Sequence, residues 1–155
     1  MVETVPITRE GYEKLKKELT RMVEIERPAN VRAIEEARGH GDLSENAEYH
    51  AAKERQGFIE GRIQELQVQI GHCQIIEARG PFERAVFGAT VTVENVDTGE
   101  EKTFTLVGPY ESEPEKGRIS VSAPLGRALI GKEEGDEVKF RTPKGLQELV
   151  ITAII

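Results

Sequence analysis

The residues with the clearest chemical potential are Asp42 and Glu45, three apart in the stretch GDLSENAEYHAAKE at 41–54. Two carboxylates at that spacing face one direction at the start of a helix. One use for them is local. Asp-x-x-Glu is a capping box, in which Asp42 receives backbone N–H groups and Glu45 reaches back. Negative charge there also suits the helix macrodipole. Ser44 is another available cap and Glu48 follows, so the stretch holds more acid than capping requires. The other use is metal chemistry. Mg²⁺ wants near-octahedral oxygen coordination, which two carboxylates cannot supply alone. They could complete a site whose other ligands, and whose bound water, belong to a partner. His40 and His50 flank the pair, but two acids and two dispersed histidines lack the compact spacing of a transition-metal site.

Stepping outward, two helical patterns must hold this stretch. Thr8 is a suitable N-cap, and Tyr12, Leu15, Leu19 and Met22 recur at spacings of three and four, the seam of a coiled coil. Pro28 interrupts as a kink or a first-turn position, and Val31 and Ile34 are expected to resume the seam in a changed phase. Gly39 and Gly41 stop the helix. The second pattern is Tyr49, Ala52, Gln56, Ile59, Ile63, Leu66, Ile70 and Cys73, with an expected end near Ile76 and Gly80-Pro81 beyond. The connection is short enough to force antiparallel neighbours. Each arm is about 30 residues, a rod of roughly 45 Å at ~1.5 Å per residue. Alanines 33, 37, 47, 51 and 52 crowd the tip. They suit a slender end for a confined space, and equally they are the best helix formers.

From Arg84 the period becomes two. Ala89, Val91 and Val93 alternate with Thr90, Thr92 and Glu94, Asp97-Thr98-Gly99 turns, and Phe104 and Leu106 share one face of the return strand. An acidic loop from Tyr110 leads to a strand at 118–122, Pro124 opens a short helix closed by Gly131, and a last strand pair surrounds Pro143-Lys144-Gly145. The expected fold class is α+β: an N-terminal antiparallel coiled-coil hairpin at 1–78 and a mostly antiparallel sheet domain with one short helix at 79–155.

Composition limits the partners. The net charge is −7, split as 11 basic and 15 acidic residues over 1–78 and 10 and 13 over 79–155. Broad phosphate binding needs a basic surface, so any nucleic-acid contact must be local or shared. The one cysteine, Cys73, permits no intrachain disulfide and points to a reducing compartment. It is expected as a small residue on the coiled-coil seam rather than a nucleophile. No signal peptide or membrane-length apolar run is present in the sequence, so the expectation is a cytoplasmic protein with no membrane partner. There is no Ser/His/Asp arrangement, CxxC or P-loop to support independent catalysis.

GDLSENAEYHAAKE, preceded by Ala33-Ile34-Glu35-Glu36-Ala37-Arg38, resembles the tip of the bacterial GreA-type transcript cleavage factors. Ser122-Ala123-Pro124-Leu125-Gly126-Arg127-Ala128-Leu129-Ile130-Gly131-Lys132 is similar to that family's C-terminal signature, and Pro6-Ile7-Thr8 through Leu15 also fits. The resemblance implies an FKBP-like globular domain that docks at the rim of RNA polymerase's secondary channel, through Pro124, Leu125, Arg127, Leu129, Ile130, Gly131 and Lys132. It implies a coiled coil reaching the polymerase active site, where Asp42 and Glu45 help to hold a second Mg²⁺ and orient water for cleaving backtracked RNA. Arg38 and Lys53 match the basic spot that contacts the RNA 3′ end. The metal would be the polymerase's own, the chain would need no cofactor, and it would act as a monomer when bound. Ser44 stands where some members carry Lys, and Lys53 stands where Arg is also found, which removes bidentate phosphate geometry. Three rivals remain: a channel-plugging inhibitor of the same shape, a purely structural coiled-coil adaptor, and a prolyl isomerase.

Overall fold

Helix α1 (Arg9–Arg21) begins where a side chain can satisfy its first donors. In the computed structural model, which describes residues 4–42 and 46–155, the Thr8 Oγ accepts the Gly11 N–H at 3.0 Å, the N-cap expected from sequence. At Met22–Glu26 the ladder widens into a π turn, with the Arg27 N–H on the Met22 carbonyl, before α2 (Arg27–Arg38). Pro28 gives the physical reason. It has no N–H for the carbonyl four residues back and its ring crowds that carbonyl, so the chain takes up a residue just ahead and leaves Pro28 in the first turn of α2. The added residue moves the buried face. Asn30, Ile34 and Ala37 are buried, whereas Val31 is 44% exposed, which corrects the expected seam position at Val31.

Helix α3 (Ala47–His72) buries Ala52, Ile59, Ile63 and Leu66 at the expected spacing. Two forked ion pairs tie it to the first arm. Arg62 Nε and Nη2 donate to Glu18 at 2.7 and 2.8 Å, and Arg27 Nε and Nη2 donate to Glu60 at 2.8 Å each. The hydrogen bond to Glu18 is the main cause holding the Arg62 guanidinium above its ordinary pKa.

The expected helix end near Ile76 is corrected: α3 stops at His72. Cys73–Ile75 is instead strand β2, parallel to β1 (Val5–Ile7), with Val5 opposite Cys73 and Ile7 opposite Ile75. Cys73 therefore leaves the helical seam and sits half-buried in a strand. The lead-in supplies an open edge to pair with, and tertiary pairing overrides the helical period. Pro6 is tolerated because a two-stranded ribbon leaves its missing donor on an edge. By contacts, the segment up to Gly11 belongs with Cys73–Ile155, and Tyr12–His72 forms the second unit.

The remaining strands are β3 (Thr90–Asn95), β4 (Glu101–Val107), β5 (Arg118–Ser120), β6 (Glu137–Thr142) and β7 (Gly145–Ile154), ordered β5-β4-β3-β7-β6. All neighbours are antiparallel except β4 and β5. A parallel neighbour needs a crossover. The chain from Gly108 to Gly117 provides it, with 3₁₀ turns at Pro109–Glu111 and Pro114–Lys116. Ala89, Val91 and Val93 present the predicted apolar face, packed with Leu106, Val138, Leu149, Ile151 and, from α4 (Pro124–Leu129), Leu129. Among the described residues no helix is long and apolar enough to cross a membrane.

Candidate functional site

The tip is built from two helix ends. Helix α2 finishes in tightening turns, with the His40 N–H on the Ala37 carbonyl at 3.2 Å and the Gly41 N–H on Arg38 at 3.3 Å. Gly41 then takes φ +103°, a left-handed conformation that glycine adopts without a Cβ penalty. Asp42 follows, exposed. Glu45 and Ser44 lie outside the described residues.

Helix α3 starts from Asn46. Its Oδ1 accepts the Tyr49 N–H at 3.0 Å, an N-cap bond three residues into the chain. Its Nδ2 donates to the Ala37 carbonyl at 2.6 Å. One amide thus caps the second helix and closes onto the last turn of the first. The sequence offered Asp42 or Ser44 as the cap; Asn46 supplies one, and Ser44 lies outside the described residues. The signal was available, since Asn ranks with Asp and Ser as a cap and directly precedes the periodic run. A second tie across the hairpin is looser: His40 Nε2 lies 3.7 Å from Glu48 Oε2.

Arg38 is exposed in the last turn of α2, and Lys53 is exposed in the second turn of α3, its Nζ donating to Gln56 at 2.9 Å. Among the described residues no group of three or more His, Cys, Asp or Glu could hold a metal ion.

The C-terminal signature divides. Leu129 is fully buried, which corrects its place among residues able to meet a partner: it fastens α4 to the sheet. Pro124, Arg127, Ile130 and Gly131 are exposed, and Lys132 is half-buried. Leu125 lines an open groove with Phe104 and Phe140.

A residue absent from the sequence reading organises the start of α1. Glu111 is 8% exposed. It accepts the Thr8 N–H at 2.8 Å, the Thr8 hydroxyl, the Gly108 N–H at 3.0 Å and Arg118 Nη2 at 3.2 Å. A carboxylate with four donors is a satisfied buried charge. Nothing in local sequence marks it, because its partners lie up to 103 positions away. The same carboxylate, after burial itself, pushes the Cys73 thiol pKa up.

Comparison with known proteins accords with both halves. Residues 5–75 match the family described as transcription elongation factor, N-terminal, and residues 81–155 match transcription elongation factor, GreA/GreB, C-term. The chain is 56% identical over 151 residues to transcription elongation factor GreA of Syntrophobacter fumaroxidans, covering 97% of each. It is 55% identical over 144 residues to that of Thermodesulfovibrio yellowstonii, covering 92% of this chain and 91% of the relative. Among solved structures it is similar to GreA factor homolog 1 of Thermus thermophilus, at 30% identity, 99% coverage of each chain and a TM-score of 0.45. With both family regions matched in order and half of its residues shared with full-length relatives, the chain belongs to the GreA/GreB family of transcription elongation factors.

Proposed function

We propose that this protein rescues arrested transcription by lending the acids of its tip to RNA polymerase, which then cleaves the extruded 3′ end of backtracked RNA. The chemistry is the polymerase's, and so is the metal. Bound Mg²⁺ supplies a Lewis acid and an activated water. The chain's own part is to present Asp42 and Glu45 as oxygen ligands and as acceptors that orient that water. Arg38 and Lys53 offer local positive charge to the RNA backbone on an otherwise acidic protein. The sheet domain from about residue 79 docks on the polymerase through Pro124, Leu125, Arg127, Ile130, Gly131 and Lys132, with the hairpin before it acting as the reaching arm. The setting is cytoplasmic, and one copy acts on one polymerase.

The observation that supports this reading most is Asn46. Its amide supplies a cap for α3, which supports a use other than capping for the exposed carboxylate of Asp42. The test is a backtracked elongation complex with and without the protein. Asp42→Ala or Glu45→Ala is expected to abolish stimulated RNA cleavage while polymerase binding survives. Undiminished cleavage in both variants rules out the shared-metal mechanism. Slowed elongation without cleavage by the unaltered protein favours a channel-plugging inhibitor.

A further inference from the structure

The π turn ahead of Pro28 exchanges one seam residue for another. It turns Val31 out, to 44% exposed, and Asn30 in, to 5%. An amide thereby occupies a seam position where an aliphatic side chain would be more stable. Among the described residues no group hydrogen-bonds that amide. A buried carboxamide without a partner costs stability. It is not sealed in: among the described residues the enclosed polar side-chain atom that lacks a partner is Arg118 Nε. The Asn30 amide therefore opens to the surface. The opening is a recess of ≈ 240 Å³ lined by Arg27, Asn30 and Val31 of α2 and by Gln56, Ile59 and Glu60 of α3.

The residues around this recess have donors to spare. Arg27 gives Nε and Nη2 to Glu60 at 2.8 Å each and keeps Nη1 uncommitted. Gln56 spends Oε1 on Lys53 Nζ at 2.9 Å and keeps Nε2 uncommitted. With Asn30 Nδ2, three NH₂ groups on the lining residues lack acceptors, while both Glu60 oxygens are taken. The ligand called for is an oxygen acceptor. Small-molecule pockets ordinarily begin at about 300 Å³, so this recess suits a single side chain, whose aliphatic stem Val31 and Ile59 can cover. We infer that the recess is a contact site for RNA polymerase, taking one carboxamide or carboxylate side chain of the polymerase by its oxygen. This rests on the proposed function above, in which the hairpin is the arm that enters the polymerase, so protein is what the flank of the arm meets. It adds a determinant of binding that is separate from the acids of the tip.

The test measures the affinity of the full-length protein for RNA polymerase free of nucleic acid, so that RNA contacts play no part, alongside helicity and the thermal melt. Asn30→Leu removes the amide and returns an aliphatic residue to the seam. Its melt is expected to hold or rise while its Kd rises roughly 3- to 10-fold. Gln56→Glu keeps an oxygen for Lys53 but puts a second carboxylate oxygen where the free NH₂ stood, and it is expected to weaken binding at least as much. A loss beyond about 10-fold in Gln56→Glu marks the polymerase group as a carboxylate, by like-charge repulsion. Both variants binding as tightly as the unaltered protein overturn the inference: the recess then holds only water. The proposed function still stands in that case if the unaltered protein stimulates cleavage. Should Asn30→Leu lose helicity, Gln56→Glu decides alone, weaker binding upholding the contact and unchanged binding overturning it. An unaltered protein that does not bind the polymerase overturns the proposed function itself, and this inference with it.

Discussion

The two long helical runs begin in opposite ways. Helix α1 starts from Thr8, whose N–H and hydroxyl both donate to the buried carboxylate of Glu111, which in turn is held by Gly108 and Arg118. Helix α3 starts from Asn46, an amide with one bond forward and one back, beside exposed Asp42. The first start uses a charge that is neutralised and surrounded by donors. The second leaves the capping to a neutral group. At the first start a carboxylate anchors structure and is buried with four donors; at the second an amide supplies the cap.

That contrast can be broken from either side. The largest structural effect is expected for Glu111→Ala, which strands buried donors on Thr8, Gly108 and Arg118. A loss of about 3 kcal/mol in urea unfolding is expected. Asp42→Ala, expected to abolish cleavage, should shift the same unfolding curve far less. A small change from Glu111→Ala would mean that the cage is dispensable. Next is Gly11→Ala, whose added Cβ would strike Glu111 Oε1. Because that oxygen is pinned by its donors, a cost of about 1–3 kcal/mol is expected in the same melt. Thr8→Ala should cost about 1 kcal/mol for the cap. If it costs as much as Glu111→Ala, then Thr8 rather than the carboxylate is the centre of the cage.

Smaller effects sharpen the comparison. Burial, and then the Glu111 carboxylate, push the Cys73 thiol pKa up, so less thiolate is present at any pH near 8. Iodoacetamide should alkylate Cys73 several-fold more slowly in native protein than in urea, and Glu111→Gln should narrow the gap. The smallest effect belongs to Glu26, whose carboxyl is held below its usual value first by a hydrogen bond from Arg55 and then by Arg21. A depressed carboxylate contributes above its ordinary pKa of 4.5 and loses that contribution as pH falls through the lower native value. Because Arg55 is exposed, Arg55→Ala should barely move the unfolding midpoint at neutral pH and high salt.

Much of the architecture could be read along the chain. The Ile59, Ile63 and Leu66 spacing, the Thr8 cap, the alternation through Ala89, Val91 and Val93, and the Pro124 helix start all depend on neighbours within a few residues. Asp42, Arg38 and Lys53 are exposed, and Glu45 lies outside the described residues. Three features were not legible. Val31 was expected inside, but the π turn ahead of Pro28 rotates it out and Asn30 in. Cys73 continued the helical period on paper, yet strand pairing with Val5 ends the helix one residue earlier. Leu129 stood within a signature that reads as a docking surface, and packing claims it for the core.

By itself, the order of residues determined the period of each element, where glycine and proline interrupt it, and the family to which the chain belongs. Those depend on side-chain volume and backbone freedom at short range. Only tertiary structure decided which carboxylate is buried, that an asparagine amide caps the second arm, and that the lead-in and the helix end pair as parallel strands. Each of those is a competition among groups that only folding brings within hydrogen-bond reach, and the chain order alone carries no distance between them.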